Sequence, residues 1–137
     1  MNKPAEKSAI ERALTLVGAA LDKKASQLVV LEVREFTSIA DYFIICSGRS
    51  DRQVQSIAQG IQDAAHEADM AAISIEGATR GHWVLMDFAD VIVHVFYQPV
   101  REFYDLDGLW ADAPKIQLPE PYSTLVHQFQ ITAEQHP

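Results

Sequence analysis

Apolar residues Ile10, Ala13, Leu14, Val17 and Leu21 recur three or four positions apart, which predicts an amphipathic helix over roughly residues 6–23 with one stripe turned toward a core. The period then changes. LVVLEV (28–33) is dense in branched side chains, and YFIICS (42–47) is apolar at almost every position. These read as two strands, the second lying near the centre of a sheet and covered on both faces.

In SGRSDRQVQSIAQGIQDAAHEAD, Ser50 and Gln53 have the spacing of a capping box, and Asp51 places a favourable charge in the first turn. A second helix therefore starts near Asp51 and buries Val54, Ile57, Ala58, Ile61, Ala65 and Ala68. The short run MAAISIEG reads as another strand, so strand, glycine turn, helix and strand imply a right-handed parallel crossover.

GHWVLMDFADVIVHVF predicts a hairpin with Phe88 and Ala89 as its loop. On that register Asp87 opposes Asp90, Leu85 opposes Ile92 and Trp83 opposes His94, and these six share a face. Val84, Met86, Val91, Val93 and Val95 form the other, wholly apolar face. The mixed face suits a partly exposed surface. Pro99 then opens a short helix, in which Val100, Phe103 and Tyr104 can pack inward while Arg101, Glu102, Asp105 and Asp107 face water, or the aromatic residues can instead serve an interface. Beyond Ala111, Pro114, Pro119 and Pro121 interrupt a weaker pattern, which reads as a tail with a helical turn around 123–130. The chain is thus expected to be α/β, one compact domain over residues 1–112 with about five strands in a mixed sheet, followed by a flexible or briefly helical tail over 113–137. No internal repeat or low-complexity tract interrupts it.

Composition narrows the possibilities. A chain of 137 residues that is 48% hydrophobic can bury one core without a covalent staple. The single cysteine, Cys46, cannot form an internal disulfide, and its apolar flanks imply a buried thiol in a reducing compartment. No apolar run approaches the ~18 residues of a membrane span, and the N-terminus has no secretory pattern; a cytoplasmic protein is expected. A net charge of −8 opposes direct binding to a phosphate backbone, so no sequence-specific contact with nucleic acid is expected, and it favours a basic protein as partner.

Candidate chemistry is sparse. SGRSD could offer helix amides to a phosphate, but it lacks the glycines and the Lys-Ser/Thr pair of a P-loop. Asp87 and Asp90 could hold Mg2+ in a nucleotide-dependent transferase, yet they straddle a turn and no third acid joins them. His94 sits alone in a valine strand, no Cys/His set has zinc spacing, and nothing marks Cys46 or Ser47 as a nucleophile. No metal or cofactor is expected. REFYDLDGLW (101–110) has more to offer as a binding surface, because aromatic residues and Arg ringed by charge are what protein interfaces concentrate at their anchors.

ADYFIICSGRSDRQVQSIAQGI, the later EG, and GHWVLMDFADVIVHVFYQPVREFYDLDGLW, in that order, resemble the ribosomal silencing factor family, also called the Iojap family, over about residues 8–112. The resemblance implies a nucleotidyltransferase-like fold without that superfamily's catalytic carboxylates, and a role without catalysis. It implies binding to the large ribosomal subunit through its fourteenth protein, a basic protein at the subunit interface, so that the small subunit is kept from joining when nutrients are short. It implies contacts from Trp83, Leu85, Asp87, His94, Arg101, Glu102, Tyr104, Asp105, Leu106 and Trp110, with Trp83 as first anchor. The family often carries an acid before the hairpin Trp, where this chain has His82, which would weaken attraction to a basic partner or make it pH-dependent. A homodimer of the free protein is a further expectation.

Overall fold

The computed structural model describes residues 8–130. Helix α1 (Ala9–Asp22) starts later than the apolar pattern predicts, because Ser8 closes a capping box: its Oγ accepts from Glu11 N at 3.3 Å, while Glu11 Oε1 accepts from Ser8 N at 3.0 Å. Residues 6 and 7 of the expected helix lie outside the described residues. Leu16, absent from the predicted stripe, is fully buried, since α1 is flanked by two other helices, α2 (Asp51–Glu67) and α5 (Tyr122–Gln128).

Five strands make one mixed sheet: β1 (Ser26–Glu32), β2 (Tyr42–Gly48), β3 (Ser74–Glu76), β4 (Trp83–Asp87) and β5 (Val91–Tyr97), in the spatial order β1-β2-β5-β4-β3. Only β2 and β5 pair in parallel. Both are buried along nearly their whole length, as their unbroken apolar runs require. The chain leaving β2 through α2 returns as β3, in the direction expected, but β3 lies on the far edge rather than beside β2. The place beside β2 goes to β5. With Ser74 and Glu76 exposed, β3 suits an edge and would bury polar groups anywhere else.

The hairpin register differs from the one predicted. Trp83 pairs with Phe96, Leu85 with His94 and Asp87 with Ile92. Its loop is Ala89 and Asp90, closed by Phe88 N donating to Val91 O at 2.9 Å, with Ala89 at φ 74°. The cause is Phe88, whose side chain is buried in the main core and so serves as the last strand position. Moving the loop by one residue moves the register by two, which preserves every face assignment along the strands. Asp90 alone departs: its Oδ1 accepts from Arg12 Nε of α1 at 3.0 Å.

One face of the sheet, with Ile44, Val84, Met86, Val93 and Val95, packs on α1 and α2 as the main core. The other face carries a smaller core of Leu31, Val33, Phe43, Ile45, Ile92, Phe96 and Ala113. It is roofed in part by Val100, Leu106 and Trp110, from α3 (Gln98–Tyr104), α4 (Leu106–Leu109) and the turn that follows.

Residues 113–130, expected as a tail, run along the outer edge of β1. Glu32 N donates to Pro114 O at 2.9 Å and Ile116 N to Val30 O at 2.8 Å. The proline pattern misleads because proline lacks only the donor; the carbonyl of Pro114 remains free to accept. Leu118, Tyr122, Leu125, Val126 and Phe129 then pack on the main core, so the segment covers an edge that would otherwise be open.

Candidate functional site

The parallel pair β2 and β5 ends at one edge of the molecule, where Gly48 lies opposite Tyr97, and α3 starts there with Pro99 in its first turn. From this edge the chain turns back over the smaller core. How α3 is phased around its axis decides which side chains reach solvent.

Arg101 sets that phase. Its side chain points inward and is 7% exposed. Nη1 donates to Gln27 O at 2.8 Å and to Ser47 Oγ at 2.9 Å, while Nε and Nη2 donate to the two oxygens of Asp107 at 3.0 and 2.8 Å. Gln27 can offer its carbonyl because β1 is irregular there, with Gln27 at φ 49°. The bidentate hydrogen bonds from Arg101 hold the Asp107 carboxyl below its usual pKa. Arg101 and Asp107, expected in water, are therefore bonded to each other and to the sheet. A charged residue is buried only when its donors find partners, and here all the acceptors are supplied.

The same rotation turns Phe103 and Tyr104 out, as the interface reading of 101–110 expects and the inward-packing reading does not. Phe103 is 81% exposed, Tyr104 57%, and Leu109 on α4 78%. Tyr104 stands 5.3 Å from the ring of Trp83, which lies 4.8 Å from Phe96 and is half-buried. Phe103 meets Tyr104 edge-on at 5.1 Å. Asp105, in the left-handed region at φ 49°, ends α3 and caps α4 by accepting from Gly108 N at 3.1 Å. A Cβ on Gly108 would collide with that carboxylate, so glycine leaves room for Asp105 to cap α4.

The remaining expected contact residues fall in four situations. Glu102 and Asp105 are exposed, and Leu85 and Asp87 are half-buried. Leu106 and Trp110 pack on the smaller core, Trp110 edge-on to Phe43 at 4.9 Å. His94 is buried beneath Trp83: its Nδ1 accepts from Trp83 Nε1 at 3.1 Å, and Phe43 presents its ring at 5.1 Å. Burial pushes the His94 pKa down to about 4, a fall that the nearby Asp107 charge only partly opposes. His94 is therefore neutral at physiological pH and orients Trp83 rather than facing a partner. Phe103 and Leu109 are members of this surface that the hydrophobic pattern did not single out. The available signal was the pair Arg101 and Asp107, whose mutual satisfaction inverts the inside and outside of the helix.

The other candidate chemistries are dispersed. Asp87 Oδ1 accepts from Ala89 N at 2.8 Å within the turn, whereas Asp90 is held by Arg12. Among the described residues no three acids, histidines or cysteines converge on a metal position. In SGRSD, Ser50 Oγ accepts from Gln53 N at 3.0 Å, and Gln53 Oε1 accepts from Arg49 N at 2.7 Å, one residue before the donor a full capping box would use. Cys46 is fully buried, and desolvation raises its thiol pKa to about 12. None of the described helices is long and apolar enough to cross a membrane.

Comparison with known proteins gives a consistent result. The family model described as ribosomal silencing factor during starvation matches residues 6–136. The ribosomal silencing factor RsfS of Halalkalibacterium halodurans is 44% identical over 102 residues, 74% of this chain and 87% of that protein. A crystal structure of a Chromobacterium violaceum protein superimposes with a TM-score of 0.75 at 32% identity, covering 83% of this chain and 92% of the other. One from Bacillus halodurans gives 0.72 at 38%, covering 80% and 99%.

Proposed function

The chain belongs to the ribosomal silencing factor family, and from that premise we propose that it binds the large ribosomal subunit through its fourteenth protein and keeps the small subunit from joining. Translation is thereby repressed, in the cytoplasm, when nutrients are short. The mechanism is exclusion of volume, and no covalent bond changes.

The observation that carries this reading is the ridge of Phe103, Tyr104 and Leu109, which folding leaves in water beside Trp83. Exposed aromatic residues bordered by Glu102 and Asp105 offer an apolar centre and an acidic rim to a basic partner. Trp83 is the inner anchor, Tyr104 the outer, and Leu85 and Asp87 extend the contact along β4. His94 and Arg101 serve by holding Trp83 and α3 in place. In the free protein the same ridge is the natural contact for a second copy, and the partner and the copy compete for it.

The transferase alternative has no observation in its favour, because the carboxylates it needs are bound to different groups on either side of a turn. The experiment is direct. Purified protein added to dissociated subunits before Mg2+ is raised lowers the fraction of joined ribosomes on a sucrose gradient, in proportion to its concentration. An unchanged profile at excess protein sinks the proposal.

A further inference from the structure

The net charge of −8 conceals an uneven placement of charge. At the edge where β2 and β5 end, three loops and two helix starts meet. Lys23 and Lys24 lead into β1, whose Ser26 pairs with Ser47 of β2. Arg49 follows β2, and Arg52 lies in the first turn of α2. Arg80 and His82 lead into β4, with Tyr97 N of β5 donating to His82 O at 2.8 Å. Gln53 of α2 donates to Lys24 O at 3.2 Å, and Gln55 to Thr79 O at 2.8 Å, which holds both flanking loops against the same helix turn.

All five cations are exposed, and among the described residues none is in an ion pair. Arg12, Arg34 and Arg101 elsewhere are each paired with a carboxylate. Three acids, Asp22, Asp51 and Glu76, lie at this edge, and Asp51 already accepts from Arg52 N at 2.8 Å. The opposite edge carries Asp41, Asp87 and Asp90 at the other ends of the same strands. Strand order sets Lys24, Arg49 and Arg80 along a line rather than around a pocket, at neighbouring and next-but-one strands about 4.8 Å apart. Trp83 lies next to His82, so the line borders the aromatic ridge.

We propose that this edge is a second contact surface, which takes the sugar-phosphate backbone of folded RNA. A linear polyanion matches a linear set of unpaired cations, and counterion release supplies the free energy without any reading of sequence. The inference rests on the proposed ribosomal role for its setting: a factor docked on a basic protein embedded in RNA meets phosphates beside that protein. The −8 charge restricts RNA to this one edge, because every other approach meets the acidic field.

The test uses the full chain and a variant carrying Arg49→Gln, Arg52→Gln and Arg80→Gln, with Lys115→Gln as a charge control away from the edge. In the first arm each protein is titrated against a short RNA duplex across a series of salt concentrations. The triple variant binds roughly tenfold to a hundredfold more weakly at ~0.1 M salt, and its slope of log affinity against log salt is shallower by roughly 2 to 3. Lys115→Gln behaves as wild type. In the second arm the triple variant binds the isolated basic protein as wild type does but binds whole large subunits more weakly. Equal duplex affinity and salt slope for wild type and triple variant overturn the inference. Loss of binding to the isolated protein by wild type itself overturns the ribosomal reading and leaves the duplex arm to decide this one.

Discussion

Trp83 does two things with one side chain. Its indole N–H donates to His94 Nδ1, and its ring joins Phe96 below to Tyr104 above. Trp83→Ala therefore costs about 2–3 kcal/mol of stability, through the lost half-buried ring and an orphaned His94 acceptor, in addition to weakened binding. Tyr104→Ala separates these effects: its Tm stays within a degree or two, while the affinity for large subunits falls by roughly thirtyfold or more, the mark of a hot spot. Sedimentation and thermal melts on both variants read the difference. His94 makes a further prediction. The unfolded residue titrates near 6.5 and the folded one near 4, so between those values the unfolded chain holds more protons. The stability due to the neutral, buried imidazole is thus complete above pH 6.5 and lost as pH falls toward 4, by up to about 3 kcal/mol. Asp107, whose carboxyl is also lowered, acts in the same direction at lower pH. A His94→Phe variant flattens the decline in Tm between pH 6.5 and 4, and an unaltered decline assigns the effect elsewhere.

At the level of elements, α3 and α4 are too short to be stable alone and owe their position to Arg101. Replacing it by Met leaves Asp107 and the Gln27 carbonyl without their donor, so Arg101→Met lowers stability by about 2 kcal/mol, reduced from a fully buried pair because Asp107 is 41% exposed. A shift of the urea midpoint measures this, and subunit binding falls with it because the ridge loses its setting. The hydrophobic pattern located α1, α2, β1, β2, β4 and β5, and it sorted the strand faces correctly, because an alternating pattern tolerates a register error of two. It failed where one side chain overruled the pattern. Phe88 reads as a turn residue because a single aromatic beside Ala-Asp carries no periodicity. Arg101 reads as a solvent-facing residue because the acceptors that permit its burial come from Ser47 and Gln27, far away in sequence. The helical turn expected around 123–130 is present as α5, but the pairing of 114–116 with β1 is not legible, because prolines hide an edge contact that uses the Pro114 carbonyl and the Ile116 N–H.

The molecule as a whole has a core side and a contact side. α1, α2 and α5 cover one face of the sheet, whereas the other is roofed only in part, and both the ridge and the cationic edge border that roof. The division was legible in outline from the mixed face of the hairpin. The charge separation was not, since a net charge sums over positions that folding sends to opposite edges. Deep between the two sides lies Cys46, fully buried and with its thiol pKa raised to about 12. An alkylating reagent reaches that sulfur only when the sheet comes apart, and only the ionised form reacts. Each covalent mark left by iodoacetamide therefore records one complete opening of the native state, and the rate of marking becomes a built-in clock against which a docked partner's grip can be timed.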